Sequence, residues 1–138
     1  MRSITAITGS LLALVGLLAT GVIAVGLRPW PALASCATTH TVTVGPSSNP
    51  LTFSPASLTI KRGDTVKWVW DTSGHTVTSG TSCTADGKFC SPNDTNCGFG
   101  TTSNVGAMYQ HTFTTAGTFP YFCATHCTLN MVGSVTVQ

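Results

Sequence analysis

After residue 36 the chain has no run of apolar residues at helical spacing, only short stretches that alternate apolar and polar. Alternation with period two puts one face of a strand against a core and the other against water. Residues 65–70 show it best, with Val66, Trp68 and Trp70 on one face. Residues 39–44 repeat it with His40, Val42 and Val44. Shorter runs at 51–53, 57–60, 75–78, 109–113, 118–123 and 133–137 are separated by turn residues such as Gly63-Asp64, Ser73-Gly74 and Ala116-Gly117. Glu is absent, and Lys, Leu and Ala are few in this part, so helices are disfavoured. The reading is an all-β, antiparallel two-sheet sandwich of seven to eight strands. Residues 79–108 break the rhythm. They are rich in Gly, Ser, Thr and Asn, and contain Cys83, Cys90 and Cys97. Loops this long are uncommon without a purpose, so the segment reads as a disulfide-rich insertion, with Asp86-Gly87 closing a small turn.

The first 35 residues are of another kind. Residues 3–27 are uncharged, and Arg28-Pro29-Trp30-Pro31 ends the apolar run. Three readings stand. Ala32-Leu33-Ala34 suits an export signal that is cut away. Leu33-Ala34-Ser35-Cys36 resembles a bacterial lipobox, whose Cys carries the lipid. The run is also long enough to remain as a membrane anchor. All three divide the chain into a signal peptide or membrane anchor, 1–35, and a folded domain, 36–138. All three put that domain in the periplasm or outside the cell, where disulfides persist; two of them tether it to the membrane.

Charge narrows the partners. From Cys36 onward Lys61, Arg62, Lys67 and Lys88 balance Asp64, Asp71, Asp86 and Asp94, four against four. A nucleic-acid binder needs a basic face, so none is expected. Nor is there a GxSxG elbow or a phosphate loop, and no enzyme is expected.

The chemistry sits near the C-terminus. Cys123, His126 and Met131 stand in a C-x2-H-x4-M spacing. A strand that ends at Cys123 and turns back can bring all three to one point. A second His from a neighbouring loop completes the set. His75, at a Gly74 break after the 65–70 strand, is the best candidate. His40 and His111 lie inside expected strands and read as structural. Thiolate and thioether beside two imidazoles suit copper, and thioether is a poor zinc ligand.

These residues resemble a cupredoxin of the plastocyanin and pseudoazurin type. The likeness runs through Gly63-Asp64-Thr65-Val66-Lys67-Trp68, Gly74-His75-Thr76-Val77 and Ala116-Gly117-Thr118-Phe119-Pro120-Tyr121-Phe122-Cys123. It continues with His126, Met131 and Gly133-Ser134-Val135-Thr136-Val137. It implies a Greek-key sandwich, one type 1 copper ion held by His75, Cys123, His126 and Met131, and one-electron transfer between redox partner proteins by a monomer. Two positions depart from the pattern. Asn130 precedes Met131 where many relatives have Gly. Thr76 follows His75 where plastocyanins often have Asn, so the side-chain brace across the site is expected to be missing.

Five cysteines remain once Cys123 is set aside: Cys36, Cys83, Cys90, Cys97 and Cys127. Without Cys36 the other four allow two bridges in three connectivities. A bridge from Cys127 to the long loop would clamp it over the metal. The leading function is an exported electron carrier. The alternatives are a periplasmic copper-handling protein and a metal-free, disulfide-stapled binding module.

Overall fold

Inward-pointing side chains of the alternating runs fill the space between two sheets. The computed structural model describes residues 36–98 and 100–138; the leader lies outside them. Among the described residues nine strands form: β1 Thr39–Val44, β2 Phe53–Ser54, β3 Ser57–Ile60, β4 Thr65–Trp70, β5 Thr78–Thr81, β6 Thr84–Cys90, β7 Met108–Thr112, β8 Gly117–Phe122 and β9 Val132–Val137. The one helical piece among the described residues is a 3-10 turn, Cys127–Leu129.

One sheet has the order β2-β1-β4-β7 and the other β3-β9-β8-β5-β6. The chain crosses repeatedly between them, as a Greek-key sandwich requires. The sheets are mixed rather than wholly antiparallel. β1 runs parallel to β4, Thr39 opposite Thr65, and β3 parallel to β9, Ser57 opposite Ser134. Alternation reports which face of a strand is buried and is silent on its direction, so the sequence could not reveal this.

Residues 79–108 also differ from expectation. They hold β6 and part of β5, which form a hairpin rather than a bare loop. Its tight turn falls at Ser82-Cys83, both with positive φ (50° and 61°), and not at Asp86-Gly87. Gly87 sits inside β6 with φ 74°, which hides the alternation. The hairpin sends Phe89 into the centre of the core. Trp68 stacks between Phe89 and Tyr109, with centroids at 5.7 and 5.3 Å, and meets Tyr121 edge-on at 5.5 Å. Such pairs add about 0.5–1.5 kcal/mol each beyond area burial.

The starts of β1 and β4 are tied by one carboxylate. Asp64 accepts hydrogen bonds from the backbone N–H of Thr38 (2.8 Å) and of Lys61 (3.0 Å), and pairs with His40 Nε2 at 2.9 Å. The Thr38 N–H, then His40 and the Lys61 N–H, hold its pKa at about 2, down from 3.8. The unfolded chain takes up this proton first as pH falls, so the stability Asp64 supplies is complete above about pH 4. It is lost between about pH 4 and 2. Asp64→Asn is therefore expected to be less stable than wild type at neutral pH. The gap between them should narrow across that acid window in urea unfolding curves. A gap that stays constant with pH would show that the carboxylate's charge is not what holds this end.

Candidate metal centre

The other end of β1 and β4 carries the predicted site. His75, Cys123 and His126 each offer a donor atom, and these atoms lie within 4.8 Å of one another. Cys123 Sγ is 3.7 Å from His75 Nδ1 and 3.4 Å from His126 Nδ1, and the two Nδ1 atoms are 3.1 Å apart. Cys123 and Met131 are fully buried, His75 nearly so, and His126 is half-buried.

His75 is fixed by its backbone and by its far nitrogen. Its carbonyl accepts from Trp70 Nε1 (2.9 Å) and from the Ser103 N–H (3.0 Å). Thr72 Oγ1 donates to the Gly45 carbonyl at 2.7 Å, so its lone pair faces His75 Nε2 at 3.1 Å. That contact favours the proton on Nε2 and leaves the Nδ1 lone pair free for a metal, the tautomer a ligand needs. Burial, and next the charge of His126, hold the pKa of His75 below its usual 6.5.

The second ligand loop begins at the end of β8. The Cys123 N–H donates to the Met131 carbonyl at 3.0 Å, and the Met131 N–H to the His126 carbonyl at 3.3 Å. The return is made at Asn130, whose φ of 61° is left-handed. Asn tolerates that region better than most residues, so it does here what Gly does in many relatives. Thr76 overturns the expectation of a missing brace. Its Oγ1 accepts the Ala124 N–H at 2.7 Å, and its own N–H points at Cys123 Sγ at 3.4 Å. A hydroxyl one bond from Cβ reaches the facing backbone, so Thr serves where Asn was expected.

Two disulfides close the surroundings. Cys90–Cys97 closes a short loop after β6, and Cys83–Cys127 ties the β5–β6 turn to the residue after His126. The expected clamp from Cys127 to the 79–108 segment is thus present. Cys36 is exposed and unbridged. His40 and His111 lie away from the cluster, against Asp64 and Asp94.

Sequence reasoning missed Gly45, Thr72 and the indole of Trp70. Neither Gly45 nor Thr72 belongs to any motif, and Trp70 read only as a residue on the inward face of the 65–70 strand. A Cβ on Gly45 would come within 2.1 Å of Thr72 Oγ1 and 2.7 Å of His75 Nε2.

A buried cysteine sulfur, a buried thioether and two converging imidazoles at the end of a two-sheet sandwich fit copper and define a cupredoxin. Comparison with known proteins agrees. A family model described as copper binding proteins of the plastocyanin/azurin family matches residues 40–138. Plastocyanin from Scenedesmus fuscus is 36% identical over 107 residues, covering 71% of this chain and 98% of its own. Chloroplastic plastocyanin from Tetradesmus obliquus is 34% identical over 119 residues, covering 77% of this chain and 72% of its own. Among solved structures, a purple cupredoxin from Nitrosopumilus maritimus superposes with a TM-score of 0.55 at 25% identity, covering 71% of this chain and 98% of its own. The chain belongs to the plastocyanin/azurin family of copper-binding proteins, and its cofactor is copper.

Gly45→Ala is expected to push Thr72 and His75 apart and to strain a backbone with φ 61°. Loss of a group that orients a metal-bound His typically costs about 10–100-fold in affinity. Competition with a chelator should show a loss of that size, and unchanged affinity would mean that the Gly45–Thr72 contact does not orient His75.

Proposed function

We propose that residues 36–138 form an exported, monomeric type 1 copper protein that carries single electrons between redox partner proteins. In this reading His75, Cys123 and His126 would be the strong ligands and Met131 would add a weaker thioether. The observation that carries it is the convergence of Cys123 Sγ with the Nδ1 atoms of His75 and His126, the first of them left as an acceptor by the Thr72 contact at its far nitrogen. Copper, when bound, supplies a one-electron couple at ordinary potentials. The chain supplies the rest. Trp70, Thr72 and Thr76 fix the donors from behind, so little rearrangement opposes a change of charge. Burial of Cys123 and Met131 keeps water from the sulfur atoms. A copper-handling protein has to release its metal, and donors held from behind as His75 and Cys123 are suit that task less well. An enzyme needs a place for substrate beside the metal, and four protein ligands leave none.

Export is supported by the apolar leader and the two disulfides, since such bridges persist outside the cytoplasm. The docking surface in this reading lies around half-buried His126. Leu129 is 59% exposed and Val132 45% exposed on the adjoining loop. Val105, 63% exposed, is held beside the His75 loop by its N–H to Ser73 Oγ at 3.0 Å. With no net charge in the folded part, encounter with a partner is weakly steered and weakly dependent on salt.

Copper-loaded protein is expected to show an intense visible band from thiolate-to-copper charge transfer, and Cys123→Ser to lose it. A Ser variant that keeps the band would defeat the ligand assignment. Leu129→Asp should leave the band intact and slow electron self-exchange, because two copies must then bring like charges together. If self-exchange is as fast as in wild type, electrons do not leave through the His126 face.

A further inference from the structure

Thr125 stands two residues after Cys123 and immediately before His126, and has no part in the ligand set. Its hydroxyl nevertheless has three polar neighbours. Oγ1 lies 2.9 Å from the Gly74 carbonyl, 3.1 Å from Cys123 Sγ and 3.1 Å from His126 Nδ1. Gly74 precedes His75, so this one side chain touches both ligand loops and the sulfur. We propose that Thr125 is a positioning residue that fastens the His75 loop to the Cys123–His126 loop and donates a second hydrogen bond to the Cys123 thiolate, raising the reduction potential.

The inference rests on the ligand set proposed above. A hydroxyl has one proton and two lone pairs. With Cys123 as a thiol, the S–H can donate to Oγ1 while the hydroxyl proton goes to the Gly74 carbonyl. A thiolate has only lone pairs. A hydroxyl oxygen 3.1 Å from it is repelled unless its proton turns toward sulfur, shared with Gly74. His126 Nδ1, committed to the metal in this reading, no longer competes. The Thr76 N–H already points at the same sulfur from 3.4 Å. Two donors then face the thiolate, one from each ligand loop. The reduced site holds one more electron than the oxidised site, and part of that density rests on sulfur. Donors therefore stabilise the reduced form more, and hydrogen bonding around this sulfur is a known means of tuning such sites.

Val has the shape of Thr without the donor, and Ser has the donor without the methyl group. The test compares copper-loaded wild type, Thr125→Val and Thr125→Ser by midpoint potential and visible absorption, with thermal melting of the metal-free proteins alongside. Thr125→Val should keep the visible band and move it to longer wavelength. Its reduction equilibrium should shift about tenfold toward the oxidised form, about 59 mV for a one-electron couple, in line with the worth of one hydrogen bond to a charged group. Thr125→Ser should restore the wild-type potential and band. Should Thr125→Val fail to fold, Thr125→Ala carries the same comparison. A lower melting temperature with an unchanged potential would reduce Thr125 to a loop fastener and overturn the proposal, as would a Ser variant that behaves like Val. Absence of the thiolate band from copper-loaded wild type would remove the ligand set and this inference with it. A normal band in wild type with a potential indifferent to Thr125 overturns the inference alone.

Discussion

Two imidazole nitrogens held 3.1 Å apart beside a buried sulfur set the terms for this end of the molecule. Both cannot carry a proton without strong repulsion, and burial already weighs against charging His75. The stable states leave at least one lone pair aimed into the space between the three donors. Thr72 decides which nitrogen of His75 that is, and Gly45 decides where Thr72 stands, by offering a carbonyl and having no side chain. A polar cluster inside an apolar core is costly unless every group is satisfied. Here Thr72 satisfies the far nitrogen of His75, while the near nitrogens of both histidines face the Cys123 sulfur.

That cluster is rigid because the sandwich determines where its loops begin. β1 and β4 run parallel and end together, so Gly45 and Thr72 meet without a long connection. β8 and β9 pair from Gly117 opposite Val137 to Phe122 opposite Val132, which fixes the span the ligand loop must close. Seen this way the 79–108 segment is part of the frame. Phe89 packs beneath the ligands' own strands, and Cys83–Cys127 ties the hairpin turn to the residue after His126. A disulfide of this kind restricts the unfolded chain and holds the loop whether or not metal is bound.

The legible and illegible parts divide by physical cause. Val42, Val44, Val66, Trp68 and Trp70 were readable as core because burial on one face leaves a period of two in the sequence. Cys123, His126 and Met131 were readable because one short loop carries them all. His75 was reachable only as the histidine at a strand end. Gly45 and Thr72 left no pattern, since each acts through a contact far away in sequence, and so did the parallel strand pairs. The hairpin of β5 and β6 was obscured by glycines at 80 and 87, whose positive φ bends the strands out of simple alternation. Cysteine parity left three connectivities, and only proximity in space selects Cys83–Cys127 with Cys90–Cys97.

The departures from the expected pattern carry a wider point about such sites. Asn130 stands where Gly is common, and adopts the same left-handed turn at a modest cost. Thr76 stands where Asn is common, and braces the facing loop at Ala124 with a hydroxyl in place of an amide. What the centre requires is an acceptor for the Ala124 N–H, a donor toward Cys123 Sγ and a reversal before Met131. Several residue types supply each of these, whereas a donor set suited to copper draws on a narrower choice, cysteine sulfur and imidazole above all. The ligands therefore make the site recognisable, and the residues behind them are free to vary in ways that leave the geometry standing while changing the electrostatics at the sulfur. Proteins that share one copper-binding geometry can in this way differ in redox potential through atoms that never touch the metal.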